Sequence, residues 1–326
     1  MHSLLEISHL NVTFKRHAKI FYPVRNVALT IAPGECVALI GESGCGKSMT
    51  AMSITRLPPT DKAAVDGKII FENEDLLQLP DHKLREVRRH GIAYIFQDPA
   101  NTLNPVIRIG DQIAESLLNK KQQNIKPLIR DLLTKVKLPD PERCAHAYPC
   151  ELSGGMQQRV SIAMALASQP RLLIADEPTT ALDVVAQQAV LDLIIGLAEK
   201  QKLAVLLITH NLAIVAKRAS RIYVMYGGMI VESGSAKELS KNPMHPYTRG
   251  LRAAMPTLDR QRNNRLEDIP GIVPPPDAWP PGCPFEPRCR HPQKSEQCRH
   301  SLPSIQCIGN RYVRCFYPTA EYQSKK

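Results

Sequence analysis

Residues 41–48 read Gly41-Glu42-Ser43-Gly44-Cys45-Gly46-Lys47-Ser48, a G-x-x-x-x-G-K-S run. No other stretch limits the fold so tightly, because this spacing encodes a phosphate-binding loop. Its glycines let backbone N–H groups turn inward around a chain of phosphates. Lys47 reaches the outer phosphates, and the Ser48 hydroxyl can hold Mg²⁺. Such a loop works between a strand and a helix. The apolar run 35–40 before it reads as a short buried strand, and 48–54 after it can open a helix. The expected class is α/β, a P-loop NTPase core binding a nucleoside triphosphate with Mg²⁺.

At 326 residues the chain has room for one large domain and a smaller one. Its first residues, Met1-His2-Ser3-Leu4-Leu5-Glu6, meet a charge too early for a signal peptide. No apolar run approaches the ~20 residues of a membrane span. A soluble or peripheral protein is expected, on the side of the membrane that holds nucleoside triphosphate. The formal net charge of +11 suits an anionic membrane surface or no dedicated partner. No basic run is interleaved with aromatics, so no nucleic-acid partner is expected.

Composition shifts near residue 240. Fourteen of the 27 prolines and five of the nine cysteines fall at or after Pro243. Before that point apolar strands alternate with helical patterns, as in a parallel sheet covered by helices. After it, Pro274-Pro275-Pro276 and Pro280-Pro281 exclude long regular elements. Two domains are expected, 1–240 and a loop-rich 241–326.

Two further segments carry chemistry. Residues 171–177, Arg171-Leu172-Leu173-Ile174-Ala175-Asp176-Glu177, form an apolar strand ending in two acids. Asp176 can hold Mg²⁺ and Glu177 can orient or deprotonate a water. In Leu152-Ser153-Gly154-Gly155-Met156-Gln157-Gln158-Arg159, Ser153 reads as an N-cap and 156–168 as its helix. Two glycines at a helix start expose N–H donors and add the helix dipole, making a second phosphate-binding end. One triphosphate rarely needs two such ends from one chain. A dimer explains both, with this end closing on the nucleotide of another subunit.

The second segment resembles the signature motif of ABC-transporter ATPases, and the other motifs of that family follow in order. Gln97, in Tyr94-Ile95-Phe96-Gln97-Asp98-Pro99, matches the Q-loop glutamine, which touches Mg²⁺ or water and links to the transmembrane subunit. Ala181-Leu182-Asp183 matches the D-loop, which crosses the dimer interface. His210, in Leu207-Ile208-Thr209-His210-Asn211, matches the switch histidine at the γ-phosphate. Phe14, after an expected strand over 4–12, stands where an aromatic stacks on adenine, with Phe21 and Tyr22 near enough to compete. Met49 departs from the family, which usually has a second hydroxyl there, though the backbone donor remains. The resemblance implies the ABC ATPase fold: a P-loop core, an antiparallel β subdomain, and a helical subdomain over about 98–166 that docks on a permease. Helical spacing over 125–136 supports the helices; the docking is implied by the resemblance alone.

The tail is similar to the C-terminal extension of the oligopeptide and dipeptide import ATPases, a group that includes nickel and metallophore importers. Pro243-Met244-His245-Pro246-Tyr247-Thr248 opens it, and Gly282-Cys283-Pro284-Phe285-x₂-Arg288-Cys289 carries the likeness. Cys283, Cys289, Cys298 and Cys315 match the family; Cys307 between them does not. Four thiols in a proline-rich segment with little apolar core suit an iron–sulfur cluster, which the resemblance implies would be of the four-iron four-sulfur type, or Zn²⁺, or stand as free structural cysteines, and the spacing leaves the choice open. Disulfides fit a reducing compartment poorly. Cys36, Cys45, Cys144 and Cys150 read as plain thiols.

The expected function is ATP hydrolysis powering import of peptides or a related solute, such as a dipeptide, an oligopeptide or a nickel or metal chelate. The loop Gly41–Ser48 with Met49 binds nucleotide, and Ser48, Gln97 and Asp176 manage Mg²⁺. Glu177 polarises the attacking water and His210 senses the γ-phosphate. Ser153, Gly154, Gly155 and Gln157 act in trans. The implied partners are a second ATPase, usually a paralogue, two permease subunits and a solute-binding protein, at the cytoplasmic face of the bacterial inner membrane. The competing expectation is a soluble ABC ATPase in DNA repair or translation control. Those proteins typically carry long coiled coils or paired cassettes, and the importer-type tail argues against it.

Overall fold

A computed structural model of the chain describes residues 3–16, 19–57, 63–117, 125–179, 182–254 and 268–318. Ala181, expected in the D-loop, lies outside them. Twelve strands are described. They are β1 (Leu5–Arg16), β2 (Lys19–Ile31), β3 (Cys36–Ile40), β4 (Ala63–Phe71), β5 (Glu74–Asp75), β6 (Ile92–Ile95), β7 (Leu172–Asp176), β8 (Ala204–Thr209), β9 (Arg221–Tyr226), β10 (Met229–Ser235), β11 (Gln306–Ile308) and β12 (Arg311–Val313). The chain divides into two compact units, one of 1–31, 36–78 and 209–326, the other of 32–35 and 79–208.

The first unit holds an antiparallel sheet in the order β2-β1-β4-β5. It also holds the strand run β11-β12-β10-β9-β3, in which only β9 and β3 run parallel. Val37, Ala38, Leu39 and Ile40 of β3 are all fully buried. Such an unbroken apolar run is what a strand covered on both faces requires. It delivers the chain directly into the loop at Gly41.

The second unit is built on β8-β7-β6, parallel throughout. Every residue of β7 and β8 is buried. Helices Ile109–Ser116, Ile125–Lys135, Pro141–His146 and Gly154–Ala167 lie between β6 and β7. The helix read over 125–136 is amphipathic, with Ile129 and Leu133 turned inward.

The tail has only short elements, as its prolines demand, but it buries more than their number suggests. β12 pairs with β10 (Glu232 with Val313, Ser233 with Tyr312). Met244, Val313 and Cys315 form a small apolar cluster with Ile308 against it. Three-residue strands leave no periodic trace in a sequence, and this pairing spans about eighty positions.

Candidate functional site

In the first unit the loop 41–48 turns from β3 into the helix Lys47–Ile54. Gly46 makes that turn at φ 105°, and a Cβ there would lie 2.4 Å from the Pro23 carbonyl oxygen. At Gly41 a Cβ would lie 2.3 Å from the Met225 carbonyl oxygen, so β9 crowds the loop's first residue. Lys47 is only 4 % exposed, and its Nζ donates to the carbonyls of Gly41 (2.9 Å) and Glu42 (3.1 Å). The ammonium thus lies across its own loop. Ser43 and Gly44 at the tip are exposed and Cys45 is buried, its thiol pushed up to about 11 chiefly by burial. Ser48 and Met49 are half-buried. The next hydroxyl, Thr50, is buried and donates to the Gly46 carbonyl (2.9 Å), so it braces the turn and does not replace the hydroxyl that Met49 lacks.

Phe14 stands on β1 opposite Phe21 on β2. The two rings compete in space as they do in sequence, while Tyr22 is exposed and its carbonyl accepts from the Trp279 indole N–H (3.2 Å). His210 is exposed just beyond β8, followed by Asn211, whose side chain caps the helix Leu212–Val215.

The second unit gathers the acids. Asp176 ends β7 at 3 % exposure and accepts a hydrogen bond from the Tyr94 hydroxyl at 2.8 Å. Burial, then the carboxylate beside it, hold the Tyr94 phenol protonated far above its ordinary range. Sequence reasoning missed Tyr94. Its only signal was its place three residues before Gln97, on the strand pairing with β7. Glu177 follows in a left-handed conformation (φ 44°), its N–H donating to the Ile208 carbonyl (2.9 Å). A non-glycine residue is rarely held there, and such strain clusters at functional positions. Its Oε2 meets the Gln97 amide at 3.4 Å. Gln97 and Glu177 are therefore brought together, with Asp176 one position before Glu177.

Ser153 caps the helix Gly154–Ala167, accepting from the Met156 N–H (3.4 Å). Gln157 ties the helix start down, donating to the carbonyls of Pro149 (2.8 Å) and Leu152 (3.2 Å). A Cβ on Gly155 would meet nothing within 4 Å, and one on Gly154 only Leu182 at 3.9 Å. Within this chain nothing described requires glycine at either position. Asp183, beside Leu182, caps the helix Val184–Gln201 through the N–H groups of Val185 and Ala186 (3.0 and 2.9 Å).

Cys283, Cys289, Cys298 and Cys315 line one small cavity of about 20 Å³ with His245 and His291; Cys307 is exposed and apart. Burial raises the Cys289 thiol and pushes Cys283 to about 12 and Cys315 to about 11. Nδ1 of His291 accepts from the Gln293 N–H, which leaves the proton on a buried Nε2 without a partner. Soft donors and an unsatisfied N–H around one cavity suit a metal–sulfur group in kind. Among the described residues, however, no three His, Cys, Asp or Glu are arranged to hold an ion.

Phosphate loop, strand-terminal acids and capped glycine helix, on this sheet order, define an ABC-type ATPase. A family model described as ABC transporter matches residues 24–180, and one described as oligopeptide/dipeptide transporter, C-terminal region, matches 231–298. A putative peptide import ATP-binding protein of Brucella abortus is 44 % identical over 96 % of this chain and 94 % of its own. The dipeptide transport ATP-binding protein of Bacillus subtilis is 43 % identical over 93 % and 91 %. The dimeric structure of a bacterial ABC transporter cassette superposes with a TM-score of 0.64 at 30 % identity, covering 72 % of this chain and 99 % of that one. The chain belongs to the ATP-binding subunits of ABC transporters, in the branch that carries the oligopeptide/dipeptide C-terminal region. It is an ATPase subunit, and none of its described helices is long and apolar enough to cross a membrane.

Proposed function

We propose that this chain hydrolyses ATP to drive import of a peptide or related solute through two permease subunits. It would sit at the cytoplasmic face of the bacterial inner membrane, beside a second, paralogous ATPase and supplied by a solute-binding protein. Residues 1–240 serve as the nucleotide-binding domain, with 98–166 as the part docking on the permease, and 241–326 as the extension.

In this reading the loop 41–49 and the Lys47 ammonium hold the phosphates, and Phe14 stacks on adenine. Ser48, Gln97 and Asp176 hold Mg²⁺, which would neutralise phosphate charge. Glu177 takes or polarises the proton of the attacking water, and His210 contacts the γ-phosphate. Ser153, Gly154, Gly155 and Gln157 close on the partner's nucleotide, with Asp183 at the same interface. The observation that carries the trans role is the open space over Gly155, with only an ordinary contact to Leu182 beside Gly154. Their smallness answers to something outside the chain, and a triphosphate approaching exposed helix N–H groups needs that clearance. Val185, 80 % exposed two residues after Asp183, gives the same surface an apolar contact.

Mild-detergent purification from the native membrane tests this reading. Recovery with two permease subunits and ATPase activity stimulated by loaded binding protein is the expected result. Recovery with DNA or ribosomes overturns it. The four tail thiols are proposed to hold a four-iron four-sulfur cluster or Zn²⁺. Elemental analysis after anaerobic purification should find it; iron and zinc both far below one centre per chain would reject it.

A further inference from the structure

Two elements of the tail converge on one residue of the phosphate loop. Arg288 ends the single 3-10 turn Glu286–Arg288 and is 6 % exposed. Its Nη1 and Nη2 donate to the two carboxylate oxygens of Glu42 at 2.7 and 3.0 Å. The rest of the guanidinium is also engaged, with the carbonyls of Pro270 (2.7 Å) and Ile269 (3.3 Å) and the Tyr226 hydroxyl (3.3 Å). Independently, the backbone N–H of Glu42 donates to the Tyr247 hydroxyl at 2.8 Å. Tyr247 is fully buried in the helix Pro246–Ala253, its ring packed on those of Tyr226 (4.6 Å) and Phe285 (5.4 Å). On β10, Glu232 anchors the start of the tail, accepting from the N–H groups of Met244 (2.8 Å) and His245 (2.9 Å).

Physical consequences follow for a loop that binds phosphates with preset backbone donors. Glu42 is the second residue of that loop, and an unpaired carboxylate there would repel a triphosphate. The two-pronged pairing with arginine both neutralises it and fixes its direction, which a lysine cannot do in the same way. Holding the adjacent N–H on a buried phenol fixes where the loop departs from β3. Donors held in place before the ligand arrives cost no reorganisation on binding.

We propose that Arg288 and Tyr247 are positioning residues for the phosphate loop, so that the C-terminal extension sets the subunit's affinity for nucleotide through Glu42. The proposal rests on the reading of 41–48 as the ATP phosphate site.

The test is equilibrium binding of a fluorescent ATP analogue with Mg²⁺ to the full chain, paired with hydrogen exchange over 41–48 and over β11–β12. Arg288→Ala should weaken nucleotide binding about tenfold, less than the direct cost of stripping one partner from a buried charged pair, because the lost contact acts on the nucleotide only through the loop. Exchange in the loop should quicken while β11–β12 stays protected. Arg288→Lys should recover part of the affinity. Adding Glu42→Gln to Arg288→Ala should also recover part, since no unpaired carboxylate then faces the phosphates. Tyr247→Phe should quicken loop exchange alone. Arg288→Ala binding within about twofold of the parent, with an unchanged loop, overturns the proposal. So does loss of protection across β11–β12 without rescue by Glu42→Gln, which would mean a tail that merely unfolds. A parent chain that binds no nucleotide overturns the phosphate-site reading itself, and this proposal with it.

Discussion

At the scale of single residues, the acid pair shows how environment divides labour between like groups. Asp176 is buried and held by the Tyr94 hydroxyl, whereas Glu177 is half-buried, in a left-handed conformation and within 3.4 Å of the Gln97 amide. The first is held in place, which suits the proposed Mg²⁺ role; the second, less buried, suits the proposed role toward the attacking water. Glu177→Gln should therefore leave ATP binding intact and lower turnover by about 10²–10⁴-fold, the usual loss when a positioned base is removed. Single-turnover hydrolysis in the assembled complex measures it, and near-normal rates would refute the assignment of Glu177. Legibility differed between these neighbours. Asp176 and Glu177 stand out at the end of an apolar run, but Tyr94 looks like any strand tyrosine until β6 is laid beside β7.

At the scale of elements, helix starts carry much of the design. Ser153, Asp183, Asn211, Ser235 and His245 each cap the helix that follows. Four of these are ordinary capping residues, readable from sequence. His245 is not, because an imidazole accepts the Tyr247 N–H (3.1 Å) only while neutral. Burial lowers its pKa to about 3. The folded state thus keeps His245 unprotonated between about 3 and the ordinary 6.5, while the unfolded chain takes up a proton. Below 6.5 the unfolded state binds more protons, so the His245 contribution is complete above 6.5 and is lost as pH falls toward 3. In His245→Asn a cap oxygen remains but the titration disappears. Urea midpoints measured from pH 7 to 4 should fall more steeply for the parent than for the variant; parallel curves would exclude His245 as the source.

At the scale of the whole molecule, the chain carries a phosphate loop and, elsewhere in sequence, a helix start with clearance over two glycines that its own described packing does not use. That surplus points outward. Ser153→Arg should leave nucleotide affinity of the isolated chain unchanged, because the loop at 41–48 is untouched. In a mixed complex it should abolish hydrolysis at the partner's site by filling the clearance with a bulky cation. Equal loss of affinity in isolated chains would place the defect within one subunit and refute the trans role. The tail belongs to the same scale: it completes the strand run through β12 and reaches the phosphate loop through Arg288 and Tyr247.

The sequence by itself determined the class of the fold, the phosphate loop, the acids at the end of β7 and the capped glycine helix. Each is a local signal: a spacing, an apolar run, a cap followed by a helical period. It also marked the tail's four cysteines as a group, and they do share one cavity. Only the tertiary structure decided that Tyr94 grips Asp176, that β12 joins β10, and that Glu42 is held from 246 positions away by Arg288. A glutamate within a glycine loop and an arginine among prolines look like separate solvated charges. Their pairing comes from chain topology, which brings distant segments together under a common buried aromatic cluster, and no local pattern encodes that distance.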